Sequence, residues 1–202
     1  MKRASMQLWP GISAALLALT IAMAATDVAA EPLQATNGIH RRNETTLAGL
    51  LPGRTSITRA QAILGKSTIK DAQNHSAAWR SCSGDLLYVD SDDKGIIQQV
   101  RAEAARAPKR ENGCNFAGSS QSKWSTRLGL RLGSPAPQVL QLYGEPDSRS
   151  PSTKDGERLE LLYYAFDWAG PDVPQVMEVL CTVASDGKPG RVVEITLAAA
   201  SL

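Results

Sequence analysis

The stretch from Leu128 to Pro146, LGLRLGSPAPQVLQLYGEP, constrains this chain more than any other. Gly133 closes a short extended run. Ser134 can cap a helix, and Pro135 suits a first helical position, where a missing N–H costs nothing. Ala136, Val139, Leu140 and Tyr143 then recur at helical spacing. Gly144 tolerates left-handed geometry and Pro146 blocks continuation. The spacing predicts a helix over residues 134–143, too short to be stable alone. Extended, apolar chain follows it, so the helix is expected to pack on a sheet.

A similar stretch lies upstream. Residues 50–66 read LLPGRTSITRAQAILGK, with Gly53 answering Gly133 and Gly65 answering Gly144. Ser56 or Thr58 can cap, Thr58 and Gln61 stand at capping-box spacing, and Ile57, Ala60, Ile63 and Leu64 form the apolar face. A helix over residues 57–64 follows. After each helix comes a strand–turn–strand pattern, with turns at Asp92-Asp93-Lys94-Gly95 and Ser185-Asp186-Gly187. The reading is an α+β fold made of two repeated units. Each unit is a short N-terminal helix followed by an antiparallel three-stranded meander, with the helices on one face of the sheet and the other face in solvent.

The strand signals are uneven. Ala77–Ser83, Leu86–Asp90 and Ile96–Val100 serve the first unit. Leu159–Phe166, Val176–Val183 and Arg191–Leu197 serve the second, and Val176–Val183 alternates most cleanly. Residues 101–110 fit an extended strand or a short helix equally well. Residues 147–158 read as a polar loop with a turn at Asp155-Gly156. The expected divisions are a flexible arm at 31–49, a first repeat at 50–107, a linker at 108–126 and a second repeat at 127–202.

Residues 1–30 read as a signal peptide. Lys2 and Arg3 give a basic end, Ile12–Ala25 an apolar core, and Val28-Ala29-Ala30 a cleavage site before Glu31. Lys2, Arg3 and Asp27 leave with it, so 20 basic and 19 acidic residues remain. That balance gives no reason to expect a nucleic-acid partner. The apolar run is short for a membrane span, so no stable insertion is expected after cleavage. The expected location is periplasmic or secreted. Three cysteines remain, an odd number for an oxidising compartment. A Cys82–Cys114 disulfide is expected, with Cys181 as a buried thiol in an apolar strand. Spacing alone leaves the other pairings open.

Gly133, Ser134, Val139, Tyr143, Gly144 and Pro146, followed by a meander, give the second unit a pattern that resembles small periplasmic α+β modules. These are the BamE-like outer-membrane assembly lipoproteins and the tandem modules of secreted β-lactamase-inhibitor proteins. The resemblance spans about residues 50–200 and implies a structural role for the matching residues. No cysteine stands at the cleavage point, which departs from the lipoprotein pattern. The partner-binding residues of the inhibitors have no counterparts here.

Catalytic and metal chemistry find little footing. The histidines are His40 and His75. His75 and Cys82 lie seven apart with no second close pair, so no metal site is expected. Asp90-x-Asp92-Asp93-x-Gly95 lacks the glutamate a calcium loop requires, since Arg101 stands at its twelfth position. There is no G-x-S-x-G and no phosphate-binding glycine loop, and no cofactor is expected. A small periplasmic hydrolase using His75 with a Ser, Cys or Asp partner is the competing reading. The leading reading is a non-enzymatic protein-interaction module of the bacterial cell envelope, meeting an envelope protein or peptide. Tyr164, Phe166 and Trp168 share one side of a strand, so they are the candidate recognition residues. Core packing of the same stripe is the alternative. A structural filler with no specific partner is the third reading.

Overall fold

The structure, a computed structural model, describes residues 42–67, 69–70, 75–105, 124–167, 174–185 and 188–199. The chain divides after Thr36, and every described residue lies in the second unit. Among the described residues two helices, α1 (Ile57–Leu64) and α2 (Ala136–Tyr143), accompany eight strands. The strands are β1 (Ile69–Lys70), β2 (Ser76–Arg80), β3 (Leu86–Ser91), β4 (Ile97–Glu103), β5 (Ser148–Lys154), β6 (Glu157–Asp167), β7 (Pro174–Thr182) and β8 (Val192–Ala199).

All eight strands join one antiparallel sheet in the order β1-β2-β3-β4-β8-β7-β6-β5. β1 is only two residues long, so seven strands have regular length. This corrects the expectation of two repeated helix-plus-three-strand units. β4 pairs with β8 from Gln99–Ala198 to Glu103–Glu194, so strands of both halves share one ladder. Both helices and the loops leading into them pack into one hydrophobic cluster with β2–β4 and β6–β8. Neither half has a core of its own.

Register explains which side is buried. Leu87, Ala102 and Ile195 align across β3, β4 and β8, and Val179 and Leu162 continue the row across β7 and β6. All five are buried on the helix side. Val89, Val100, Leu197, Met177 and Tyr164 form the next row. Such rows of apolar side chains on one face are what strict alternation specifies.

Each helix is fixed at its ends. Ser56 caps α1 by accepting from the Arg59 N–H. For α2 the cap residue is Pro135, which has no side-chain acceptor, so Ser134 is not the helical cap. Both helices stop at a glycine of positive φ, Gly65 at 83° and Gly144 at 79°. Each glycine carbonyl accepts from an aromatic residue on an inward-facing strand. Trp79 Nε1–H donates to Gly65 at 2.9 Å and the Tyr164 hydroxyl to Gly144 at 3.0 Å.

Leu47 and Leu50 belong to the core. Leu47, Leu50 and Glu44 are fully buried, although residues 42–49 fell within the expected flexible arm. Glu44 is a buried carboxylate, and its lone pairs are well used. Oε1 accepts from the backbone N–H groups of Thr45, Thr46 and Arg127 at 2.7, 3.1 and 3.1 Å. Oε2 accepts from Leu128 N–H at 3.0 Å and from the Tyr143 hydroxyl at 2.8 Å. That hydroxyl also meets Thr126 Oγ1 at 2.7 Å. A carboxylate so saturated can be buried where a bare one cannot.

Candidate binding face

The second side of the sheet receives neither helix. Alternation along the strands dictates its composition. One row across it reads Tyr88 on β3, Arg101 on β4, Thr196 on β8, Glu178 on β7 and Tyr163 on β6. The neighbouring row reads Leu86, Glu103, Glu194, Leu180 and Leu161. Tyr88, Arg101, Tyr163 and the three leucines are half-buried, and Glu178 is exposed. Half-buried tyrosines and leucines around charged groups make an amphipathic surface, unlike the largely apolar helix side.

One end of this surface is walled. Lys154, at the tip of the β5–β6 hairpin, pairs with Glu194 on β8 and with Glu103 on β4 at 3.1 Å. In a flat sheet β5 and β8 would stand roughly 14 Å apart, at three strand spacings. The hairpin tip therefore curls over the helix-free face, as strongly twisted sheets do. Burial pushes the Lys154 pKa down, but the two carboxylates outweigh it and leave the ammonium above its ordinary value. Glu103 and Glu194 are mostly covered, so the three groups form a partly desolvated cluster rather than a surface pair.

The expected recognition residues lie elsewhere. Tyr164 and Phe166 face the helix side and are buried at 0% and 1% exposure. Their ring centroids lie 5.8 Å apart, and Tyr143 of α2 sits 5.8 and 6.1 Å from them. They are core residues, which corrects their assignment as exposed anchors. The physical reason is the α2 layer, which needs large rings beneath it and a hydroxyl to reach Gly144. Trp168 lies outside the described residues. Tyr163, on the opposite side of the same strand, is the one that reaches the helix-free face.

His75 has Asp93 within 3.9 Å of its ring, and its carbonyl accepts from the Ser91 N–H and hydroxyl. Among the described residues these contacts are turn chemistry. Asp92 Oδ1 accepts from the Lys94 and Ile96 N–H groups, so the acidic turn uses its own carboxylate. Among the described residues no group of three His, Cys, Asp or Glu side chains is arranged to hold a metal. Cys82 is disulfide-bonded, Cys114 lies outside the described residues, and Cys181 is a free, buried thiol. Burial, with the Glu160 charge beside it, pushes the Cys181 thiol up to about 12. Among the described residues no helix is long and apolar enough to cross a membrane.

The sequence signal for this face was present in β3, β4 and β8. Tyr88, Arg101 and Thr196 occupy the positions opposite to the buried Leu87, Ala102 and Ile195. What was missing was the β4–β8 pairing that brings them together.

Comparison with known proteins adds little to this geometry. No known family matches the chain, and no curated protein does. Among solved structures the chain is similar to YjgB, a DUF4309 family protein from Bacillus subtilis. The identity is 10%, the TM-score 0.42, and the likeness covers 78% of this chain and 88% of that one. A likeness of that degree carries no argument. Nothing in these comparisons bears on the resemblance to BamE-like or inhibitor-type modules.

Proposed function

We propose that this chain is an exported, non-enzymatic binding protein of the bacterial cell envelope, and that it docks an envelope protein or peptide on the helix-free face of its sheet. The observation that carries this reading is the row Tyr88–Arg101–Thr196–Glu178–Tyr163, flanked by half-buried leucines and bounded by the curled hairpin. Tyrosine and arginine in such a setting suit recognition, because each joins a large contact area to a polar tip. The signal-like residues 1–30 and the bonded Cys82 support export. The disulfide partner in this reading is Cys114.

Site-specific photo-crosslinking in intact cells tests the face. A crosslinker replacing Tyr163 is expected to form an adduct with one partner. The same group replacing Gln141, exposed on α2, is expected to form none. Equal adducts at both positions, or none at Tyr163, would discard the reading. Intact mass and non-reducing peptide mapping of the same material check export. They are expected to give an N-terminus at Glu31 and a Cys82–Cys114 peptide.

A further inference from the structure

We propose that Arg101 is the recognition centre of the helix-free face and that its partner is a peptide segment presenting a carboxylate side chain to it. This deepens the binding-face reading and rests on it. Arg101 stands mid-strand in β4, with β3 on one side and β8 on the other. Its guanidinium lies over the Tyr88 ring, 4.7 Å from the centroid. Its Nε is buried without a hydrogen-bond partner.

The carboxylates nearest in the fold do not serve it. Glu103 and Glu194 hold Lys154. Glu178 is two strands away in the same row, roughly 10 Å in strand spacing. No carboxylate of the described residues pairs with Arg101. A guanidinium never sheds its charge, so half-burying it without a partner is a cost that an incoming anion relieves.

The surroundings specify the anion. Stacking on Tyr88 fixes the guanidinium plane, and a fixed fork favours a bidentate carboxylate over a point charge. Ala78 and Thr196, both buried, stand on either side of the stack in the same row. Half-buried Leu86 on the adjacent β3, with Leu180, Leu161 and Tyr163 two and three strands away on the same face, argue for a peptide, because a small anion would leave them uncovered.

The test pans a displayed random dodecapeptide library against the full secreted chain and measures the recovered peptides by calorimetry. The expected binders share one Asp or Glu. Changing that residue to Asn or Gln, or Arg101→Met, weakens binding tenfold or more, and the two losses are not additive in the double mutant. Arg101→Lys is expected to weaken binding as well, because it keeps the charge and loses the fork. Arg80→Met, removing an exposed arginine of the same face, should change affinity less than twofold. The melting temperature of Arg101→Met should stay within a few degrees of the parent. If that variant does not fold, Arg101→Lys decides. Binders without an acidic residue, equal losses at Arg80 and Arg101, or unchanged binding by Arg101→Lys would overturn the inference. Peptides that block the Tyr163 crosslink yet ignore Arg101 would leave the binding face standing. A library yielding no face-directed binder would remove both.

Discussion

The two helices are equal in length and end alike, yet they are held by different means. α1 is held chiefly at its termini. Ser56 caps it, Ile57 N–H donates to Gly95 and Trp79 grips Gly65, while Ala60 is its one fully buried residue. α2 has no side-chain cap; its ends are gripped as those of α1 are, Ala136 N–H donating to Gly190 and Tyr164 to Gly144, and its body adds what α1 lacks. Val139 and Tyr143 are fully buried, and the Tyr143 hydroxyl reaches the Glu44 carboxylate. Local hydrogen bonds suffice for a helix lying near the margin of the core. A helix over the middle of a core is fixed by what it buries.

That contrast can be broken most forcefully at the buried faces. Val139→Asp places a carboxylate among apolar strands and is expected to cost more than about 4 kcal/mol. Ile63→Asp, on the half-exposed side of α1, is expected to cost under about 1 kcal/mol. Urea unfolding of the pair measures both, and similar losses would erase the distinction between the helices.

An intermediate effect lies in alkaline solution. Burial, then the Glu44 charge, raises the Tyr143 hydroxyl far above its usual pKa of 10.0. Cys181 moves from 9.0 to about 12. In both cases the unfolded chain loses its proton first. The stability these groups contribute is thus present below their unfolded values and is lost as pH rises from about 9 upward. Each group contributes a slope of up to about 1.4 kcal/mol per pH unit where it is charged only in the unfolded chain. Thermal melts between pH 8 and 11 should fall more steeply for the parent than for Tyr143→Phe combined with Cys181→Ala. Lys154, also raised, leaves a residual slope in both. Parallel profiles would show that neither group is as buried as the fold requires.

The smallest effect belongs to α1. Ser56→Ala removes its cap and is expected to cost about 1 kcal/mol. Hydrogen exchange should show the loss in the first turn of α1 and leave α2 unchanged. Equal deprotection of both helices would mean that the termini of α1 are not separately held.

Local signals were legible wherever one face is buried. The apolar spacing and terminal glycines located both helices, and alternation located β3, β7 and β8. β5 was missed because SRSPSTK has no buried face. It sits at the sheet margin, so its residues carry no apolar pattern, and Pro151 reads as loop. Its turn at Asp155-Gly156 was nevertheless visible, and both residues do adopt positive φ. The choice of side for Tyr164 was open for a different reason. Aromatic residues alternate on both sides of β6, and only the docked α2 decides which set turns inward. Glu44 gave no sign at all, because a buried acid is defined by donors more than 80 residues away in sequence. The β4–β8 pairing was hidden for the same kind of reason. Strand partners distant in sequence leave no mark on either strand, and resemblance between the helical stretches suggested separate units instead.

The place of β8 has a consequence for when the molecule can form. It is the last of the described strands in sequence but lies in the middle of the sheet, between β4 and β7. As the chain emerges from synthesis, β4 must wait nearly 100 residues for the neighbour that covers its open edge. Such late, long-range closure slows folding and leaves strand edges exposed in the meantime. A chain with this order completes its sheet only once β8 has been made.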